Sequence, residues 1–129
     1  MSMIKVKEVA FNGYPVTDIA RARAFYEGLF HFKPSMVFEH GDKAWIEYEI
    51  GGATFAISNY SPDWKPHKDG PSIAFEVESF EGAIAALRSQ QVRFYLEPMD
   101  SGACQMAVVA DPDGNSVIVH QRKRTPTTP

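Results

Sequence analysis

Apolar residues recur along this chain in two rhythms. Over residues 43–50 the period is two: Ile46, Tyr48 and Ile50 fall on one side and Trp45, Glu47 and Glu49 on the other, the pattern of a strand with two unlike faces. Gly51-Gly52 reads as a hairpin turn, and residues 53–58 as the next strand, with Phe55 and Ile57 on its apolar side. Upstream the period is near 3.6. Ile19, Ala22, Tyr26 and Leu29 form a helical stripe that Phe25 widens, with Arg21, Arg23 and Glu27 mainly opposite, so Phe25 and Tyr26 read as packing residues. Thr17 or Asp18 can accept a bond from a free amide and start this helix, which runs over about residues 18–30. A strand over residues 5–14 precedes it, ending before Pro15. A short strand over residues 35–39 follows, closed by a turn at Gly41-Asp42.

Residues 59–70 (NYSPDWKPHKDG) are rich in turn formers and divide the chain almost in half. After them the order of elements returns. Residues 72–77 read as a strand, and Ser79 as an N-cap. Phe80, Ala83, Ile84 and Leu87 make a helical stripe, and residues 92–96 another strand. Residues 105–110 and 116–121 close the chain as a hairpin around DPDGN. There Asp111 can bond its own backbone two residues on, Pro112 presets φ, and Gly114 accepts a left-handed φ.

Each half is thus β-α-β-β-β, and the class is α+β. Module one is expected over residues 3–58, the linker over 59–70 and module two over 71–123, within one domain of residues 1–125, with residues 124–129 expected as a flexible tail. One helix covers only one face of such a module. Two modules set side by side are expected to form a curved, mostly antiparallel sheet with helices outside and a concave inner face suited to a ligand. A ferredoxin-like β-α-β-β-α-β order would leave two strand runs unassigned.

Composition narrows the class further. In 129 residues, 44% are apolar, enough for a core and too many for disorder. The net charge of −3 gives no footing for a nucleic-acid partner, and the lone basic run, Arg122-Lys123-Arg124, reads as a solvated end. No apolar stretch approaches the ~20 residues that span a bilayer, and the first residues lack a signal-peptide pattern. Cys104 is the only cysteine, so no internal disulfide forms, and a cytoplasmic location is expected.

Three motifs, at this order and spacing, resemble the glyoxalase/bleomycin-resistance/dioxygenase group, also called the vicinal oxygen chelate superfamily. They are YPVTDIARARAFYEGLF at residues 14–30, IAFEV at 73–77 and DPDGN at 111–115, and the resemblance covers residues 3–123. It implies paired β-α-β-β-β modules, frequently a homodimer, and in enzymatic members a divalent metal held by His or Glu. It also implies activities from hemithioacetal isomerisation to ring-cleaving oxygenation and thiol transfer, or drug sequestration without catalysis. Aligned on these motifs, the family's ligand positions fall on Phe11 (Asn12 with a one-residue slip), Ser72 and Ile118, and the end of the first module offers neither carboxylate nor imidazole. No metal site and no cofactor are therefore expected, although His120, Glu47 and Glu49 leave a rebuilt divalent site open.

The expected ligand-binding residues are Phe11, Trp45, Glu47, Glu49, Ser72, Ile118 and His120. Trp45 with the two glutamates offers an aromatic wall and a charge, or else a wet strand face. His120 lies two residues beyond Ile118 on the same face, and with Glu47 it is the candidate for acid–base catalysis, or else a structural histidine. His31, His40 and His67 fall in turns or loops. Cys104 shares a strand side with Met106 and reads as a small hydrophobe. Trp64, in a Pro-flanked loop segment, is either a lid or a staple. Two functions follow: a binding module for a small organic molecule, or a lyase, isomerase or dioxygenase-type enzyme with an atypical site.

Overall fold

The computed structural model describes residues 5 and 8–123. Eight strands and two helical segments form two compact units divided between Lys65 and Pro66, each with its own four-stranded sheet.

In the first unit the sheet order is β1 (Asn12–Pro15), β4 (Ala53–Ser58), β3 (Lys43–Ile50), β2 (Pro34–His40). β1 runs parallel to β4, and the β3 pairings are antiparallel. β1 starts later than the alternation predicts and includes Pro15; Val6 and Lys7 lie outside the described residues. Its length is set by β4, which offers four partners, Phe55 to Ser58. Pro15 is tolerated because β1 is an edge strand, where a missing N–H leaves no ladder bond unmade. β2 extends one residue beyond the predicted span at each end, so His40 ends a strand opposite Lys43 and not a loop.

The first helix starts as expected. Asp18 caps it, its Oδ1 accepting from the Arg21 amide at 3.0 Å. Only Ile19–Arg23 is α-helical (α1); Ala24–Leu29 continues as a wider π turn. The π segment carries a network that spacing alone does not disclose. Arg23 Nε donates to Glu27 Oε2 at 2.6 Å, and the Tyr48 hydroxyl of β3 donates to the same oxygen at 2.8 Å. Burial first, and then the bond to anionic Glu27, pushes the Tyr48 pKa above its ordinary value. The core beneath is aromatic: Tyr26 meets Phe55 at 5.1 Å and Phe25 at 4.9 Å, and Tyr14 meets Phe55 at 5.5 Å.

The second unit repeats the order with other side chains. Its sheet runs β5 (Ile73–Glu76), β8 (Ser116–Arg122), β7 (Cys104–Ala110), β6 (Phe94–Asp100), with β5 parallel to β8. β6 begins and ends later than residues 92–96. It bulges twice along β7, which accommodates Pro98 on an edge strand. Ser79 caps α2 (Phe80–Ser89) through its hydroxyl. The core under α2 is largely aliphatic, with Phe75, Phe80, Leu87, Ala107, Val109, Val117 and Val119 all buried.

The DPDGN turn is a clamp. Asp111 Oδ1 accepts the amides of Asp113 and Asn115, each at 2.9 Å, and Oδ2 accepts the Asn115 side-chain amide at 2.9 Å. Asn115 Oδ1 then accepts the His67 amide, and the Ser116 hydroxyl donates to the Lys68 carbonyl, so the turn ties down the segment that opens this unit. Gly114 takes φ 90°, where a side chain would be strained.

Candidate functional site

Strand pairing assigns every side chain to a face, because directly paired residues share one. In the first sheet Ala44, Ile46, Tyr48, Phe55 and Ile57 are buried on the helix side. The opposite face presents Trp45, Glu47 and Glu49 from β3, Met36 and Phe38 from β2, and Thr54, Ala56 and Ser58 from β4. Phe11, just before β1, lies edge-on to Trp45 at 5.2 Å. The Trp45 indole N–H donates to Glu47 Oε2 at 2.8 Å, so this ring is held from two sides. Glu49 accepts the Thr54 hydroxyl at 2.6 Å. Each carboxylate is thus positioned by a neighbour through one oxygen.

The linker contributes to the same unit. A side chain at Gly13 would meet Trp64 Cη2 at 3.0 Å, so the indole of Trp64 rests on bare backbone. Tyr60 faces Phe38 at 6.1 Å, and its hydroxyl is buried without a hydrogen-bond partner among the described residues. Phe11, Trp45 and Glu47 are therefore brought together. Phe38, Tyr60 and Gly13 were not singled out by the sequence, because a lone aromatic on an edge strand or loop carries no signal until its neighbours are known.

The open face of the second sheet carries Ile118, His120 and Arg122 from β8, Ala74 and Glu76 from β5, Cys104, Met106 and Val108 from β7, and Leu96 and Met99 from β6. Ser72 falls just before β5 and is exposed. His120 pairs directly with Glu76, its Nδ1 lying 2.5 Å from Glu76 Oε1, and the Arg122 amide donates to Glu76 Oε2 at 2.7 Å. Those two bonds, the backbone one first, lower the Glu76 pKa. The carboxylate beside His120 is thus Glu76, forty-four residues away in the chain, and Glu47 belongs to the first unit with Trp45 as its partner. On the helix side of the second sheet, Phe80, Glu81, Ile84, Pro98 and Gln105 line a groove of about 270 Å³ that holds none of the expected residues.

The positions the resemblance assigns to metal ligands carry Phe11, Ser72 and Ile118. A phenyl ring and a branched alkyl chain have no lone pair to offer. Among the described residues no group of three or more His, Cys, Asp and Glu converges. The residues present do not fit the divalent ion of the family's enzymatic members.

Two β-α-β-β-β units, each with a helix on one sheet face and chemistry-bearing side chains on the other, define a paired-module fold. The chain belongs to the Glyoxalase/Bleomycin resistance protein/Dioxygenase superfamily, whose family model matches residues 6–119. Among solved structures it is similar to TnmS3, an antibiotic binding protein from a Streptomyces species, at 20% identity and a TM-score of 0.75, covering 93% of this chain and 99% of that one. It is also similar to the trypanothione-dependent glyoxalase I of Leishmania major (20% identity, TM-score 0.74, 92% and 88% covered) and to the fosfomycin resistance protein FosX of Listeria monocytogenes (15%, 0.70, 91% and 94%). At such identities the likeness shows the fold. No curated protein matches the sequence. No helix among the described residues is long and apolar enough to cross a membrane.

Proposed function

We propose that this protein binds a small organic molecule on the open face of its first sheet, without the divalent metal used by enzymatic relatives. The observation that carries this reading is the aromatic wall. Phe11 stands where the family's first-strand ligand falls, and it packs edge-on against Trp45, which Glu47 holds in place. An apolar surface with one or two oriented carboxylates suits an aromatic or aliphatic ligand carrying a polar or cationic group. An antibiotic binding protein and a fosfomycin resistance protein among the similar folds agree with this reading.

A second reading, acid–base catalysis of the lyase, isomerase or dioxygenase type, is favoured by one observation: Glu76 orients the His120 imidazole. Indole fluorescence and thermal shift against a panel of aromatic, drug-like compounds separate the two. Saturable binding should raise the apparent stability by about 2.7 kcal/mol at a hundredfold excess over Kd. Phe11→Ala and Trp45→Ala should each weaken it at least tenfold, and His120→Ala should not. Binding indifferent to both aromatic substitutions, or turnover lost with His120→Ala alone, would sink the first reading. We take the working form to be a cytoplasmic homodimer, from the resemblance and the lone Cys104; a monomer by light scattering at micromolar concentration contradicts the dimer.

A further inference from the structure

The open face of the second sheet holds one row of side chains that the ligand site proposed on the first sheet does not use. In the register, Met99 of β6 stands opposite Met106 of β7, Met106 stands opposite His120 of β8, and His120 stands opposite Glu76 of β5. The row therefore crosses all four strands on one face. Directly opposed Cβ atoms lie about 4.5–5.5 Å apart, and a methionine side chain spans that gap easily. Cys104 precedes Met106 by two residues, so it shares the face and sits diagonal to His120, about 7–8 Å away at the backbone and within side-chain reach. Two thioethers, a thiol and an imidazole are thus presented to one patch, where all are half-buried or exposed.

The imidazole is arranged as a ligand. Its Nδ1 is engaged by Glu76 Oε1 at 2.5 Å, and Glu76 is itself fixed by the Arg122 amide. With Nδ1–H donated to the carboxylate, the Nε2 lone pair is left to coordinate, the outer-shell arrangement that recurs behind metal-bound histidines. The donor set is soft. Thioether and thiolate ligands select Cu(I) over the harder divalent ions served by carboxylate and water.

We propose that Met99, Cys104, Met106 and His120 form a cuprous-ion site on the second sheet, with Glu76 orienting His120. Coordination releases the Cys104 thiol proton to solvent, and no electron is transferred. All five of these residues belong to the second unit, whereas the aromatic wall belongs to the first.

The test titrates the full, untagged, reduced chain with Cu(I) against a chromogenic Cu(I) chelator under anaerobic conditions. One ion per chain is expected to be held. Met106→Leu and His120→Ala should each weaken retention at least tenfold, Met99→Leu and Cys104→Ala several-fold, and Glu76→Gln several-fold with the fold intact by circular dichroism. Trp45→Ala should leave it unchanged, which separates this result from small-molecule binding. Because Met99 is exposed, its leucine variant tests the site even where a His120 variant fails to fold. Failure of the wild-type chain to compete with the chelator overturns the proposal. So does loss confined to Cys104→Ala, which marks a bare thiol, or tighter binding of Mn(II) than of Cu(I).

Discussion

The two units share an order of elements and a strand topology, yet they are filled by different chemistry. Under α1 the first sheet packs Tyr14, Phe25, Tyr26, Tyr48 and Phe55; under α2 the second packs four valine and alanine positions with Leu87 and two phenylalanines. The open faces diverge in the same sense. One carries Phe11, Trp45 and two carboxylates. The other carries two methionines, a cysteine and a Glu–His pair. Even the helix exits match: each helix ends by passing through a non-glycine residue in the left-handed region, His31 at φ 58° and Gln91 at φ 57°. Backbone path is therefore held constant while side-chain chemistry varies, which is how one fold can host unrelated functions.

The strongest way to break this comparison is to empty each core. Phe55 is 1% exposed and touches the rings of Tyr14, Tyr26 and Tyr48. Phe55→Ala should cost about 3–5 kcal/mol, and Leu87→Ala about 2–5 kcal/mol, read from urea midpoints at constant m. A loss below about 2 kcal/mol for Phe55→Ala would mean that the aromatic cluster does not carry the first unit.

The turn clamps give the next largest difference. In the second unit Asp111 is buried and accepts three bonds within its turn. In the first, the Asn59 side chain accepts the Ala44 amide at 2.8 Å and donates to the Asp42 carbonyl at 2.9 Å. Asp111→Ala strands buried amides that were bonded to a charged acceptor, and should cost about 2–3 kcal/mol. Asn59→Ala breaks neutral, partly solvated bonds and should cost about 1 kcal/mol. Equal losses at the two sites, measured by the same denaturation, would show that charge and burial do not set the rank.

Much of this architecture is legible in the residues. The alternation in 43–50 assigns each β3 side chain to its observed face, and Asp18, Ser79 and DPDGN mark the caps and turn that form. Local periodicity and local hydrogen bonding suffice for these. What could not be read depends on pairing between distant segments. The extent of β1 is set by β4. The π turn accompanies a network between Glu27 and Tyr48, twenty-one residues on. Glu76 looks like any exposed strand residue until β5 is laid beside β8, and the Met99–Met106–His120 row exists only in the register. Trp45, Glu47 and Glu49 could be singled out together because they alternate along one strand, whereas Glu76 and Met99, which neighbouring strands supply, could not.

The smallest expected effects concern pH, and they sharpen the comparison because the two units respond at opposite ends of the scale. The phenol of Tyr48 has its pKa raised, chiefly by burial and then by Glu27. Its contribution is complete below the unfolded value of 10.0 and is lost as pH climbs from there towards the folded value. Tyr48→Phe removes the bond to Glu27, costing about 1.5 kcal/mol near neutrality, and should also flatten the alkaline limb. Glu76 has its pKa lowered, so its contribution is present above the unfolded value of 4.5 and is lost as pH falls below it. Because Glu76 is largely solvated, screening keeps that contribution small, and Glu76→Gln should alter the acid limb with little change at pH 7. Thermal melts of both variants from pH 3 to 11 check the pair. If Glu76→Gln instead flattened the alkaline limb, or Tyr48→Phe the acid one, the assignment of each titration to its own unit would fail.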